Sequence, residues 1–153
     1  MLVVSTGPLS QQKRFGDALN ITRMSAGPKG LVFAPSAALL ASVITARRRV
    51  EHIERLMGVD QAIELDLIEA RGRLRAARER YVHVFDEEME ESRSRHKRIW
   101  NEVLAMSSIT LLCYCDDPAH CHRTYLARDI LPRHGARYYG PERGVSNAAR
   151  RIG

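Results

Sequence analysis

The sequence predicts a three-layer α/β domain: a mostly parallel, Rossmann-like sheet of about four strands, carrying a helical hairpin insertion. Three observations lead there. Short apolar runs at Leu2-Val3-Val4, at Leu19 with Ile21, and at Ile109 to Cys113 have the length of buried strands. Long stretches of helix formers separate them, the alternation expected of a parallel sheet. A knot of cysteine, histidine and arginine follows the third run and precedes a helical stretch, where parallel sheets gather their ligand sites.

Length and composition set the frame. A chain of 153 residues suits one domain. We place it at residues 1–140, with the helical insertion at about 45–80 and a flexible tail over 141–153. A hydrophobic content of 44% is enough for a core and speaks against disorder. No apolar run approaches the ~18 residues that a membrane span needs. Gly7, Pro8 and polar residues break the apolar start, so it does not read as a secretory signal. The expectation is a cytoplasmic protein. Three cysteines, an odd number within nine positions, make a poor disulfide framework; thiols that react, bind metal or pack fit better. The net charge of +6 would assist binding of anions or nucleic acid. Acidic and basic residues are interspersed, however, which also fits an ordinary solvated surface.

The elements follow in order. Met1 to Thr6 reads as the first strand, ended by Gly7-Pro8. Gln11 to Gly16 reads as a helical turn. Ala18 to Thr22 reads as a second strand, with Leu19 and Ile21 on one face. Ala26-Gly27-Pro28-Lys29-Gly30 forces a loop, and Pro35-Ser36 opens a helix. Ala37 to Met57 is that helix, stopped at Gly58. Asp60 is the candidate cap of a second long helix running to about Arg80. Leu and Ile stripes on both suggest an antiparallel hairpin. Tyr81 to Phe85 fits either an alternating segment or a helical join. A further helix opens at Asp86 and buries Trp100, Val103 and Leu104. Ile109 to Cys113 is the third strand, Thr124 to Leu131 a helix, and Ala136 to Tyr139 an edge strand.

The chemistry concentrates in Cys113-Tyr114-Cys115-Asp116-Asp117-Pro118-Ala119-His120-Cys121-His122-Arg123. Cys113 and Cys115 point to one side of a strand, and Asp116-Asp117-Pro118 is turn chemistry. With a helix starting near Cys121, His122, Leu126 and Ile130 share one stripe; Arg123, Ala127 and Leu131 share the next. Three readings of this loop compete. The first is an anion pocket, with Arg123 and free backbone N–H groups holding a phosphate or carboxylate and Cys121 as a thiolate nucleophile. The loop lacks glycine and is neither a P-loop nor a cysteine-phosphatase loop. The second is zinc, held by Cys113, Cys115, Cys121 and either His120 or His122; the C-x-C-x5-C-H spacing is not a common zinc pattern. The third is packing alone, with His122 bonded to a carbonyl.

These residues resemble a known family. Cys113-Tyr114-Cys115, then Asp117 to Arg123, then Leu126-Ala127, is similar to the cysteine and Cys-His-Arg signature of the domains of unknown function numbered 488. Asn20 to Ser25 resembles that family's strand ending in arginine, and Phe33 to Ser36 its next helix entry. Trp100 and Gly135 to Gly140 also fit its small bacterial and phage members. The stretch from about Thr45 to Arg80 lies outside the pattern. The resemblance implies a compact α/β domain with a cysteine-rich site of unassigned reaction, in which the arginine after the second strand and the Cys-His-Arg residues face one pocket.

The expected site is therefore Thr6, Arg23, Ser25, Asp116 and Arg123 around a nucleotide-like or phosphorylated small molecule, with Cys115, Cys121 and His122 as candidate catalytic groups. No residue is assigned to a metal, zinc standing as an alternative, and the sequence names no cofactor. Two further alternatives concern partners. The basic helices, with Arg47-Arg48-Arg49 and Arg71, Arg73, Arg75, Arg78 and Arg80, would suit nucleic acid or a protein, and the same helices would suit a homodimer.

Overall fold

A computed structural model describes residues 1–57, 63–115 and 117–141. The chain divides into two compact units: Met1–Ala34 with Ser92–Gly153, and Pro35–Glu91. The first holds four strands: β1 (Val3–Pro8), β2 (Ala18–Asn20), β3 (Ser108–Cys113) and β4 (Arg137–Pro141). They form one sheet in the order β2-β3-β1-β4, parallel throughout. The expected parallel sheet of about four strands is thus present, with helices completing an α/β architecture. β1 and β3 carry the burial of interior strands, with Val4 and Leu112 fully buried and Leu111 and Ile109 nearly so.

The register aligns the strand ends. Pro8 lies beside Cys113, and Asn20 beside Leu112. From β1 the chain crosses β3 to reach β2; from β3 it crosses β1 to reach β4. Adjacent strands β1 and β3 thus send their connections in opposite directions, and the crevice outside their carboxyl ends is where such sheets take ligands.

Short pieces complete this unit. A 3-10 turn at Leu9–Arg14 fills the segment read as a helical turn. The loop after β2 is tied by Asn20, whose Nδ2 donates to the carbonyl and hydroxyl of Ser25 and whose Oδ1 accepts from the Thr22 amide. Helix α1 (Pro28–Leu31) presses Gly30 against β2 so closely that a Cβ there would lie 1.8 Å from the Asn20 carbonyl oxygen. Only glycine fits. Trp100 anchors the helical layer: its ring lies 4.8 Å from Phe33 and meets His134 edge-on at 5.6 Å.

The second unit is a helical hairpin. Helix α2 (Ala37–Met57) and helix α3 (Glu64–Arg95) share a core of Val50, Ile53, Leu67, Ala70 and Leu74. Several of its arginines pair locally: Arg47 with Glu51, Arg71 with Glu54, and Arg73 with Glu69. The candidate cap Asp60 and the stop at Gly58 lie outside the described residues.

One expectation is corrected here. The second helix does not end near Arg80, nor does a new one open at Asp86; α3 is continuous over 32 residues. Leu67, Leu74 and Tyr81 recur at steps of seven, and Tyr81, Phe85 and Met89 at steps of four, all buried. That stripe extends the helical face through the segment whose alternation looked strand-like. The helix breaks instead at His96 (φ −117°, ψ 39°), and helix α4 (Lys97–Leu104) carries Trp100.

Candidate metal centre

Cys113 is the last residue of β3 and is buried. Cys115 follows two positions later on the same side, as strand geometry requires, with its Sγ 3.2 Å from that of Cys113. The Cys115 amide also donates to the Cys113 sulfur at 3.4 Å. The chain then turns sharply. Asp117 caps a 3-10 turn, Pro118–His120, accepting from the Ala119 amide through Oδ1 at 3.0 Å. This turn brings Cys121 back toward the end of β3. Cys121 is extended (φ −91°, ψ 137°) and precedes helix α5 (His122–Tyr125), its carbonyl accepting from Thr124 and Tyr125. The helical path continues as a wide turn at Leu126–Ile130 and a 3-10 turn at Leu131–His134. Leu126, Ala127, Ile130 and Leu131 are all buried, as the two predicted stripes require.

The result is a compact cluster. The Sγ atoms of Cys113, Cys115 and Cys121 and a ring nitrogen of His122 all lie within 4.8 Å of one another. His122 Nε2 lies 3.0 Å from the Ile21 carbonyl and Nδ1 lies 3.8 Å from Cys113 Sγ. A carbonyl only accepts, so Nε2 carries the proton and Nδ1 faces the sulfurs when the ring is neutral. His120, the alternative ligand weighed from the sequence, turns outward and pairs with Asp117 at 2.6 Å.

The cluster holds its protons unevenly. Hydrogen bonds from Cys115 and then Cys121, with help from His122, hold the Cys113 thiol far below its ordinary range. The same contacts with Cys113 and Cys115, together with burial, push Cys121 far upward. Burial, the largest single influence on His122, lowers it; contacts with Cys113 and Cys115 outweigh that and leave it at about 9. Cys113 thus bears negative charge beside a Cys121 that keeps its proton.

Arg123 stands beside the cluster. Its Nη1 donates to the carbonyls of Gly7 at 2.7 Å and Cys113 at 2.8 Å, bridging the ends of β1 and β3. The guanidinium therefore sits at the crevice that the strand order defines. The residues expected to line a pocket are largely enclosed: Cys121, His122 and Arg123 are 2%, 3% and 5% exposed, and Cys115 is the half-buried member.

The other expected site residues distribute differently. Thr6 is buried within β1. Arg23 and Ser25 lie in the exposed loop after β2, with Ser25 bonded to Asn20. Asp116 lies outside the described residues. Sequence reasoning assigned no metal ligands and left out the contribution of Ile21, whose carbonyl orients His122. The signal available was the strand before Thr22, which placed that carbonyl at the carboxyl edge of the sheet.

Fold and site together define a parallel α/β domain with three cysteines and a histidine clustered at the carboxyl edge of its sheet. Residues 66–135 match the family model DUF488-N3a, described as the active DUF488-N3 subclade. The match supports a DUF488 family member, in line with the Cys-His-Arg resemblance. It spans β3, the cluster and α5, and it also takes in residues 66–80, which the resemblance had left outside. No curated protein and no solved structure shows a significant match.

Proposed function

We propose that the protein binds a soft divalent metal ion, zinc in the first instance, through Cys113, Cys115, Cys121 and His122. The observation that carries this is the orientation of His122. Its Nε2–H is held by a backbone carbonyl while Nδ1 turns toward three sulfurs. Metal-ligating histidines are held in this way, because the outer hydrogen bond fixes the tautomer that frees the inner nitrogen. The spacing supports the reading. Tetrahedral zinc with bonds of about 2.0–2.3 Å sets its ligand atoms about 3.4–3.8 Å apart. A cluster spanning 3.2 to 4.8 Å reaches that geometry by side-chain shifts alone. The backbone N–H donated to Cys113 Sγ also stabilises a thiolate. Four protein ligands fill a tetrahedral shell, so the ion's first role is to pin the end of β3 to the start of α5. Metal analysis of protein purified without chelator tests this. About one zinc per chain is expected, and Cys121→Ser is expected to lose it; a substoichiometric wild type removes the reading.

A second reading rests on Arg123. Its position at the β1/β3 crevice and a buried Nε without a partner support a small anionic ligand, nucleotide-like or phosphorylated. A thermal-shift screen with nucleotides and sugar phosphates tests it. A ligand that raises the melting temperature of wild type but not of Arg123→Ala supports it, and a flat response removes it.

A further inference from the structure

Arg123 is a buried cation whose direct partners are neutral groups. It is 5% exposed, its Nη1 bonds are to neutral carbonyls, and its Nε has no partner. Among the described residues no carboxylate pairs with it. An arginine cannot shed its proton to escape such a site. Holding it out of water without an opposite charge is strongly unfavourable. Negative charge must therefore sit close by in the working protein.

The neighbouring cluster supplies it once loaded. Three thiolates contribute −3, a divalent ion +2 and a neutral imidazole nothing, which leaves −1. That offsets one guanidinium. A monovalent soft ion on the same ligands leaves −2, and a divalent ion on two thiolates leaves zero. With all three thiolates bound, only a divalent ion leaves the single negative charge that balances Arg123. The two charges are also adjacent, since the guanidinium bonds the carbonyl of the first ligand, Cys113. We propose that Arg123 is the built-in counter-charge of a three-thiolate divalent centre: a positioning residue that keeps all three cysteines on the ion. This rests on the metal reading above. It also parts from the anion reading, because the guanidinium's charge is met by the centre and not by a phosphate.

Cobalt(II) in place of zinc reads out the coordination directly, since thiolate-to-cobalt charge-transfer absorption grows with the number of bound thiolates. Wild type should give the intensity of three thiolates, and each of Cys113→Ser, Cys115→Ser and Cys121→Ser should lose about a third of it. Arg123→Gln keeps an N–H donor for the carbonyls but removes the charge. It should lose about a third of the intensity and bind cobalt about 10- to 100-fold more weakly, the range known for residues just outside a metal's ligands. Arg123→Lys should restore both, which a purely steric role would not. Full intensity and affinity in Arg123→Gln overturns the proposal. So does inorganic phosphate that stabilises the metal-loaded wild type but not Arg123→Gln. If Arg123→Gln fails to fold, wild type still decides: a two-thiolate spectrum overturns the proposal and a three-thiolate spectrum supports it. Protein that takes up no metal at all is a separate result, which removes the metal reading and this proposal with it.

Discussion

Stripping the metal should lower the melting temperature by an amount that the binding equilibrium sets. The ligands come from β3, the following turn and the start of α5, and they converge only in the folded chain. An ion that binds the native state alone adds about 2.7 kcal/mol at a free concentration 100 times its dissociation constant, and about 4.1 kcal/mol at 1,000 times. For a chain of this size each kcal/mol moves the midpoint by about 2–4 °C. Wild type should therefore melt roughly 5–11 °C higher at the first concentration and roughly 8–16 °C higher at the second, relative to chelated protein. Calorimetry across a zinc titration measures this, with Cys121→Ser as the control that stays at its metal-free midpoint. A wild-type midpoint that ignores both zinc and chelator refutes the reasoning, because it would mean the sulfurs do not act as a folded-state ligand set.

Other consequences follow from the same contacts. The metal-free protein should be most stable on a plateau between about pH 6.5 and 9. His122, raised from 6.5 to about 9, gives stability that is full below 6.5 and lost on rising to 9. Cys113, lowered from 9.0, gives stability that is full above 9 and lost on falling. The two slopes cancel between those limits. Below 6.5 the Cys113 loss continues alone, and above 9 the raised Cys121 makes folding less favourable; a melting midpoint that rises or falls steadily across pH 5–10 contradicts this. Gly30→Ala should destabilise by roughly 1–3 kcal/mol, as overpacking against backbone does. Denaturant melts check it, and an unchanged midpoint would mean β2 shifts freely. Trp100→Ala, at a site 1% exposed between Phe33 and His134, should cost about 3–5 kcal/mol in the same assay.

Much of the sheet was legible because its strands are short, apolar and bounded by Gly, Pro and Asp. That the carboxyl ends of the strands gather along one edge followed from the rule for parallel strands, although β1 runs on to Pro8 and β2 stops at Asn20, and the two stripes at His122 and Arg123 followed from helical spacing. Helix α3 was harder to read. Tyr81-Val82-His83-Val84-Phe85 alternates locally, and only the longer register from Leu67 to Met89 identifies it as helix. The Cys-His cluster was legible only as one of three readings of its loop, because its spacing fits no common zinc pattern. Sequence spacing separates Cys113 from Cys121 by eight positions, and the Asp117-Pro118 turn brings them together. Burial of Arg123 was not readable either. An arginine beside a helix start signals an anion site by composition, whereas here Gly7 and Cys113, distant in sequence, draw it inward with their carbonyls.

X-ray absorption at the zinc edge of the purified, zinc-loaded protein tests the central claim most directly. The account predicts three sulfur neighbours at about 2.3 Å and one nitrogen at about 2.0–2.1 Å. A shell of oxygen and nitrogen alone, or of fewer than three sulfurs, would contradict it.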